Sequence, residues 1–205
     1  MFNKIYKSKF ISFMVLILLT TLFISGCFEP ENNNKTRITA EKAYIESENI
    51  SKTHYNKAIL ESITCAGRNQ DGGKSTSWRF NYLGFLDNGT YSAFDITVNE
   101  KLESEFDIEG YVNQSERIPK PLLNWTLDSN DAYDIAKEED SIKEYLNKYD
   151  DAKVDSMNLN MWDEYSEDDA VWVIKWIYGS GFGFANAHIV INAHTGEVLE
   201  VEADN

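Results

Sequence analysis

The spacing of hydrophobic residues along this 205-residue chain changes twice from a helical period to a strand period. In the first half, a predicted helix over residues 40–51 is followed by strand patterns between residues 78 and 108. In the second half, a predicted helix over residues 129–148 is followed by strand patterns between residues 172 and 201. The repeated order predicts an α+β protein with two similar units, each one helix packed on an antiparallel sheet.

Both predicted helices begin with the same arrangement of residues. An apolar residue, Ile38 or Leu127, precedes a residue of a helix-capping type, Thr39 or Asp128. Acidic residues follow in the first turn of each helix, where they complement the positive end of the helix dipole. This shared start is the clearest local sign of an internal duplication.

Two sets of alternating residues mark the central strands. Tight connections are predicted at residues 87–89 and at the glycine-rich segment 179–183, because Asn-Gly and repeated glycine favour turns. In each half, large apolar side chains recur at every second position and would share one face of the sheet. These side chains are Trp78, Phe80 and Tyr82, and Trp172, Ile174 and Trp176.

The first 26 residues have the order of a secretory signal. Three lysines in the first nine positions precede an apolar run that ends in Ser25-Gly26-Cys27. This ending resembles the lipobox of bacterial and archaeal lipoproteins, in which the cysteine becomes the lipidated first residue. The resemblance implies a lipid on Cys27 and a protein on the extracytoplasmic face of a cell membrane. An uncleaved membrane anchor is the alternative, because the apolar run is about as long as the shortest spanning helix, which needs about 17 residues.

Charge narrows the choice of partners. Three of the 19 lysine and arginine residues and none of the 34 acidic residues lie in the first 26 positions, so the remaining chain carries a net charge of −18. A nucleic-acid partner is excluded, because phosphate binding needs a basic surface. Acidic charge also opposes docking on anionic lipid, so the membrane is contacted through the lipid on Cys27.

Composition divides the chain into five segments. Pro119 and Pro121 interrupt regular structure between the two units, and an Asn-rich stretch without apolar periodicity follows the signal. The predicted segments are a signal peptide, a polar tether, a degenerate first unit, a linker and a second unit, at residues 1–26, 27–36, 37–110, 111–125 and 126–205.

Cysteine usage and glycosylation sequons add two expectations. With Cys27 lipidated, the chain has no second thiol to form a disulfide with Cys65, so a hydrophobic core rather than a disulfide framework must stabilise the fold. A buried apolar role for Cys65 is favoured over a reactive thiol. Five Asn-x-Ser/Thr sequons are candidate glycosylation sites, although a chain rich in Asn, Ser and Thr also produces them by chance: Asn34, Asn49, Asn88, Asn113 and Asn124.

Three segments of the second half carry a family resemblance. They are the helix start at residues 127–132, the strand at 170–176, and the strand–turn–strand at 189–199, whose turn contains Thr195-Gly196. Together they resemble the PepSY domain. Residues 37–110 resemble a degenerate copy, with Asn99-Glu100-Lys101 in place of the Thr-Gly turn.

The resemblance implies a small α+β domain without catalytic residues. PepSY domains occur in propeptides of secreted metallopeptidases and in envelope proteins, where peptidase inhibition or control of the near-surface environment has been proposed. No site residue is carried over from the family to this chain.

The residues themselves show no complete catalytic or metal-binding motif. His54, His188 and His194 form no zinc-binding spacing, and a dyad of Cys65 with a histidine has no family signature. The acids at residues 163–169 lack the order of a calcium loop, so a solvated connection is favoured there. No cofactor, metal or enzymatic activity is therefore expected.

Aromatic residues on the central strands are the remaining candidate for binding. Trp78, Tyr82, Trp172 and Trp176 either fill the core or form an exposed face that holds a peptide. The predicted function is a non-enzymatic protein- or peptide-binding module that restrains a peptidase, with contact through this face or a sheet edge. The alternatives are a small-molecule or calcium-binding envelope protein and an enzyme of unknown class.

Overall fold

A computed structural model describes residues 37–66, 72–166, 168–180 and 183–204. These residues form three helices and eight strands, which confirms the predicted α+β class. The first half contains α1 (Ala40–His54), β1 (Ala58–Cys65), β2 (Ser77–Phe85), β3 (Thr90–Asn99) and β4 (Ser104–Asn113). The second half contains α2 (Ser129–Glu138), α3 (Asp140–Lys148), β5 (Lys153–Asn160), β6 (Val171–Ser180), β7 (Gly183–Asn192) and β8 (Val198–Ala203).

All eight strands lie in one antiparallel sheet. Their order is β4-β3-β2-β1-β5-β6-β7-β8, so each half contributes a four-stranded meander. The halves join where Ser62 pairs with Asn160 and Thr64 pairs with Asn158, between β1 and β5. The two predicted units therefore share a continuous sheet, a point that the sequence left open, and β4 and β8 are its edges.

The main core lies on the face of the sheet that packs against the helices. Trp78 and Trp172 are fully buried there, and Ala43 and Ala132 are fully buried on the facing helices. Alanine at these positions lets a helix approach the large rings closely. Residues on the opposite face alternate with the core residues, and three of them form a small second cluster: Val171, Val173 and Val190.

The indole groups of Trp78 and Trp172 make the same hydrogen bond in each half. Trp78 Nε1 donates to the carbonyl of Ile38, and Trp172 Nε1 donates to the carbonyl of Leu127, both at 2.9 Å. Each carbonyl belongs to the residue before a helix cap, so the bond fixes the start of a helix against the second strand of its meander. The two rings also meet edge to face, with centroids 6.2 Å apart.

The first strand of each half, which the sequence did not predict, contains a β-bulge. The pairing of β1 with β2 shifts at Glu61, and the pairing of β5 with β6 shifts at Asp155. A bulge inserts one extra residue and breaks the period of two on which strand prediction depends. Both bulges lie beside matching positions, Tyr82 in β2 and Trp176 in β6, so they are equivalent features of the two halves.

The second predicted helix is interrupted at Glu139, whose backbone is extended at φ −72° and ψ 129°. In an unbroken helix Ala136 and Ile142, six residues apart, would point about 120° away from each other. The interruption allows both side chains to be fully buried. The helix prediction was therefore wrong in treating residues 129–148 as one element.

Other boundaries differ by a few residues. Helix α1 continues to His54, and β4 continues to Asn113, past the predicted end of the first unit. Gly110 pairs with Ala93 beside a bulge, which lets β4 continue. Strand β6 reaches Ser180 and β7 begins at Gly183, so both strands extend into the predicted glycine-rich loop. Residues 181–182 lie outside the described residues.

The turns after β3 and β7 both begin with an asparagine whose side chain caps the turn, although the two turns differ in length. The side-chain carbonyl of Asn99 accepts hydrogen bonds from two following backbone N–H groups, and that of Asn192 does the same. Each turn also contains a residue with positive φ, Leu102 at 63° and Gly196 at 78°. The first half thus forms the turn without the Thr-Gly pair.

The N-termini of α1 and α2 meet at a shared cap. Asp128 Oδ1 accepts from its neighbour Ser129 N at 2.6 Å and from Glu41 N of α1 at 2.9 Å. Ser129 Oγ accepts from Ala40 N at 2.9 Å. The carboxylate of Asp128 is 8% exposed, and it lies where the positive ends of two helices converge.

Gly73 lies against this shared cap, so its substitution tests how closely the halves fit. A Cβ at Gly73 would lie 2.2 Å from the Ser129 carbonyl oxygen, and its φ is +68°. We expect Gly73→Ala to destabilise the protein by about 3 kcal/mol, measured by denaturant unfolding. Gly72 is the matched control, with φ +57° and no atom within 4 Å of an added Cβ.

We expect Gly72→Ala to lower the free energy of unfolding by only about 1 kcal/mol, because it adds backbone strain without a clash. Equal losses for the two variants would contradict the close contact of Gly73 with Ser129.

Candidate functional site

The aromatic residues predicted as a possible binding face are buried. Trp78, Tyr82, Trp172 and Trp176 are at most 4% exposed. Alternation along β2 and β6 places all four on the helix-covered face, where Tyr82 forms a 2.7 Å hydrogen bond with Ser47 of α1. The core interpretation of these residues is therefore confirmed, the alternative of an exposed aromatic face is wrong, and these side chains stabilise the core.

The predicted modification sites fall into two groups. Cys27 and Asn34 lie outside the described residues, as do the signal peptide and the tether. The other four sequon asparagines are all exposed: Asn49, Asn88, Asn113 and Asn124. Their exposure makes glycosylation sterically feasible, and occupancy stays a prediction. Within the described part of the chain, no helix is long and apolar enough to cross a membrane.

The histidines and Cys65 occupy separate environments. His54 stacks on Phe106 with ring centroids 3.9 Å apart, and His188 forms a hydrogen bond with Glu200. His194 is exposed in the turn after β7. Cys65 is 8% exposed and lies in the main core.

The acidic segment 163–169 does not converge on one point. Asp163 forms a salt bridge with Lys120, and Asp169 accepts a hydrogen bond from Asn192 at 3.0 Å. Among the described residues, which omit position 167, these acids form no group of metal ligands. The alternative of calcium binding by this segment therefore has no support from the described geometry.

The edge strand β4 is the most accessible long element of the sheet. None of its ten residues is buried, and two of its large apolar side chains are exposed, Ile108 at 42% and Tyr111 at 66%. An edge strand leaves backbone N–H and C=O groups unpaired along one side, which can accept another extended chain. The opposite edge, β8, has six residues and contacts α3.

Four carboxylates cluster on the face of β3 and β4 that is turned away from the helices. Phe106 packs toward the core against Phe94, so the neighbouring Glu105 and Asp107 point to the other face. Asp107 pairs directly with Asp95 across the strands. We name the acidic patch by its members, Asp95, Glu105, Asp107 and Glu109.

The pKa of Asp95 is raised, chiefly because the carboxyl is partly buried. Arg79 acts in the opposite direction, and repulsion from Glu109, Asp107 and Glu105 adds to the increase. Directly opposed like charges on neighbouring strands destabilise a sheet. The patch therefore works against folding at neutral pH, as is common for residues kept for binding rather than for stability.

Asp95→Asn tests this unfavourable electrostatics. Since the folded state holds the pKa of Asp95 above its ordinary 3.8, the ionised carboxylate destabilises the folded protein at neutral pH, and this effect disappears below about pH 3.8. We expect the variant to be more stable by about 0.5 kcal/mol at pH 7 and unchanged at pH 3 in thermal unfolding.

The control is Asp151→Asn, which neutralises an exposed carboxylate in a turn of the other half. An equal gain for both variants at pH 7 would indicate an effect of net charge rather than of the acidic patch.

Sequence reasoning missed the acidic patch because its members come from two strands. Asp95 lies in a predicted strand, and Glu105 and Asp107 alternate with apolar residues as solvated side chains commonly do. The sequence did contain one signal for the patch. Acidic residues alternate with apolar residues on two consecutive strands of the meander, and pairing these strands places like charges opposite each other.

Comparison with known proteins leaves the family unassigned. No family model and no curated protein match the sequence. Among solved structures, a candidate lipoprotein from Clostridium difficile 630 is similar with 17% identity and a TM-score of 0.46, over 78% of this chain and 92% of that chain. The YpeB C-terminal domain from Bacillus megaterium is similar with 16% identity and a TM-score of 0.22, over 82% of this chain and 66% of that chain.

Proposed function

We propose that this protein is a lipoprotein held on the extracytoplasmic face of a cell membrane through Cys27, with two PepSY-like units that act as a non-enzymatic binding module. The leader sequence supports the anchor. The helix and four-stranded meander present in each half, with equivalent tryptophan bonds and bulges, support the repeated unit.

Replacing Cys27 tests the anchor. We expect Cys27→Ser to remove lipid from the mature chain and to move the protein from the membrane fraction to the soluble fraction, because serine offers no thiol for lipid attachment. Mass spectrometry of the mature N-terminus measures the change. Cys65→Ser is the control and should leave the lipid in place. Retention of the Cys27→Ser variant in the membrane without lipid would favour the uncleaved anchor.

The partner we propose is an extended, cationic segment of another protein that pairs along β4. The observation that carries this proposal is the combination of a free ten-residue edge with the acidic patch beside it. Addition of a strand supplies main-chain hydrogen bonds for affinity, and alternate side chains of the added strand supply specificity.

Charge decides which extended segments fit. A second copy of β4 would place Glu105 and Asp107 beside acids of its own kind, so the patch disfavours self-association. A segment with lysine or arginine at alternate positions would instead neutralise the patch. The net charge of the chain adds a long-range attraction for such a segment.

Exposed apolar side chains on β4 provide contacts beyond charge. Ile108 and Tyr111 lose exposed apolar surface when a strand is added, and tyrosine is a frequent anchor in interfaces. Restraint of a peptidase belongs to the same proposal. A peptidase that pairs a basic segment with β4 is held at the membrane with that segment unavailable for other contacts.

A defined peptide tests the proposal. The probe is a ten-residue peptide of alternating lysine and valine, titrated into the full-length chain in detergent micelles by isothermal calorimetry. We expect Glu105→Lys with Asp107→Lys to weaken binding at least tenfold, about 1.4 kcal/mol, because two attractive charges become repulsive. Asp150→Lys with Asp151→Lys makes the same change in net charge in an exposed turn of the other half and should have little effect.

Two further peptides separate strand pairing from simple charge attraction. A copy of the probe with methylated backbone nitrogens at alternate residues cannot donate ladder hydrogen bonds, and a glutamate–valine peptide has the opposite charge. We expect neither to bind. Equal binding of the methylated peptide would contradict pairing along β4, and equal binding of the acidic peptide would contradict the role of the acidic patch.

A further inference from the structure

Three side chains able to bind a metal ion lie together in the second half, away from β4. His188 is on β7, and Glu200 and Glu202 are on β8. One ligand atom from each residue lies within 4.8 Å of the others. Glu200 and Glu202 are two residues apart on one strand, and Glu202 pairs directly with His188, so the sheet holds all three on one face.

The distance from His188 to Glu200 is close to that between two ligands of one ion, because His188 Nε2 lies 3.1 Å from Glu200 Oε1. Glu202 Oε2 lies 3.9 Å from the other ring nitrogen, His188 Nδ1. Since one ion takes a single nitrogen of an imidazole, Glu202 has to turn toward the Nε2 side to share an ion with Glu200. Ligands bound to one zinc ion at about 2.1 Å in tetrahedral geometry lie about 3.4 Å from each other. The side chain of Glu202 is 73% exposed and is free to rotate toward the other two groups.

We propose that His188, Glu200 and Glu202 bind a divalent transition-metal ion of the zinc class. One imidazole and two carboxylates are ligand types that zinc accepts, whereas calcium prefers six to eight oxygen ligands. The two carboxylates balance the charge of the ion. Partial exposure of all three residues leaves the remaining coordination positions open to water or to an external ligand.

Tyr165 orients one of the proposed ligands. Its hydroxyl donates a hydrogen bond to Glu200 Oε2, which leaves Oε1 directed at His188. Hydrogen bonds to ligating carboxylates fix their orientation and raise metal affinity. Tyr165 is therefore a positioning residue, and it comes from the acidic segment 163–169 that the sequence analysis considered for calcium.

A cavity of about 600 Å³ adjoins two of the three ligands. His188 and Glu202 line it together with Asn186 and Asp204. A bound ion would thus be reachable from the cavity, which has room for a small molecule that completes the coordination. Lys175 pairs with His188 from the other side, and its exposed side chain can turn its ammonium group into solvent.

Zinc titration of the full-length chain in detergent micelles tests the site. We expect one zinc ion per chain by calorimetry, and at least a tenfold loss of affinity for Glu202→Gln, which keeps the shape of the side chain but removes its charge. We expect Tyr165→Phe to lower the affinity about tenfold, because it removes only the orienting hydrogen bond. Glu197→Gln, an exposed carboxylate in the turn before β8, is the matched control and should bind like the wild type.

A spectroscopic measurement identifies the histidine ligand. Cobalt bound in the site should show the visible absorption of a low-coordinate ion, and His188→Gln should abolish it. Melting temperatures without metal check that each variant is folded.

Two outcomes would overturn the proposal. Failure of the wild type to bind zinc would leave the three residues as an ion-paired network only. Equal zinc affinity in the wild type and in Glu202→Gln would place the ion elsewhere. Neither result affects the peptide proposal, because β4 and its acidic patch lie at the opposite edge of the sheet.

Discussion

The carboxylate of Asp128 caps two helices that belong to different halves of the chain. A buried carboxylate is unfavourable unless hydrogen bonds compensate it, and here the backbone N–H groups of Ser129 and Glu41 provide them. This contact fixes the start of α1 against the start of α2. Beyond this cap, Trp78 and Trp172 contact each other in the core, and β1 pairs with β5 in the sheet. The two halves, each a helix and a meander, therefore share one core and one sheet.

A continuous sheet with helices on one face leaves few places for function. The helix-covered face is filled by the core, which excludes the aromatic residues from binding. The opposite face of the sheet and its two edge strands remain available for binding. The two edge strands differ in length and exposure. Helix α3 contacts the six-residue edge strand β8, of which one residue is exposed, whereas seven of the ten residues of β4 are exposed. The acidic patch lies beside the longer edge, where its like charges lower stability.

Features that depend on adjacent residues were predictable from the sequence, whereas contacts between residues far apart in the chain were not. The helix starts at Thr39 and Asp128 could be predicted because capping depends on adjacent residues. Strands β1 and β5 were missed because Glu61 and Asp155 insert bulges that disrupt the period of two. The burial of Trp172 in the core was predictable, because its alternation with smaller residues places it on the sheet face that meets a helix. The contact of Tyr165 with Glu200, 35 residues away, depends on strand register that no local pattern gives.

The two candidate sites occupy equivalent positions of the repeated unit. Counting from the paired tryptophans, Asp95 in β3 corresponds to His188 in β7, and each lies opposite an acid of the following strand, Asp107 or Glu202. Glu105 corresponds to Glu200 in the same way. In both halves, two carboxylates of the last strand therefore lie beside one position of the preceding strand, which is Asp95 in the first half and His188 in the second. In the peptide proposal, aspartate at this position adds negative charge that attracts a cationic segment. In the metal proposal, histidine at the same position supplies the nitrogen ligand beside two carboxylates, so this residue distinguishes the ligands proposed for the two halves.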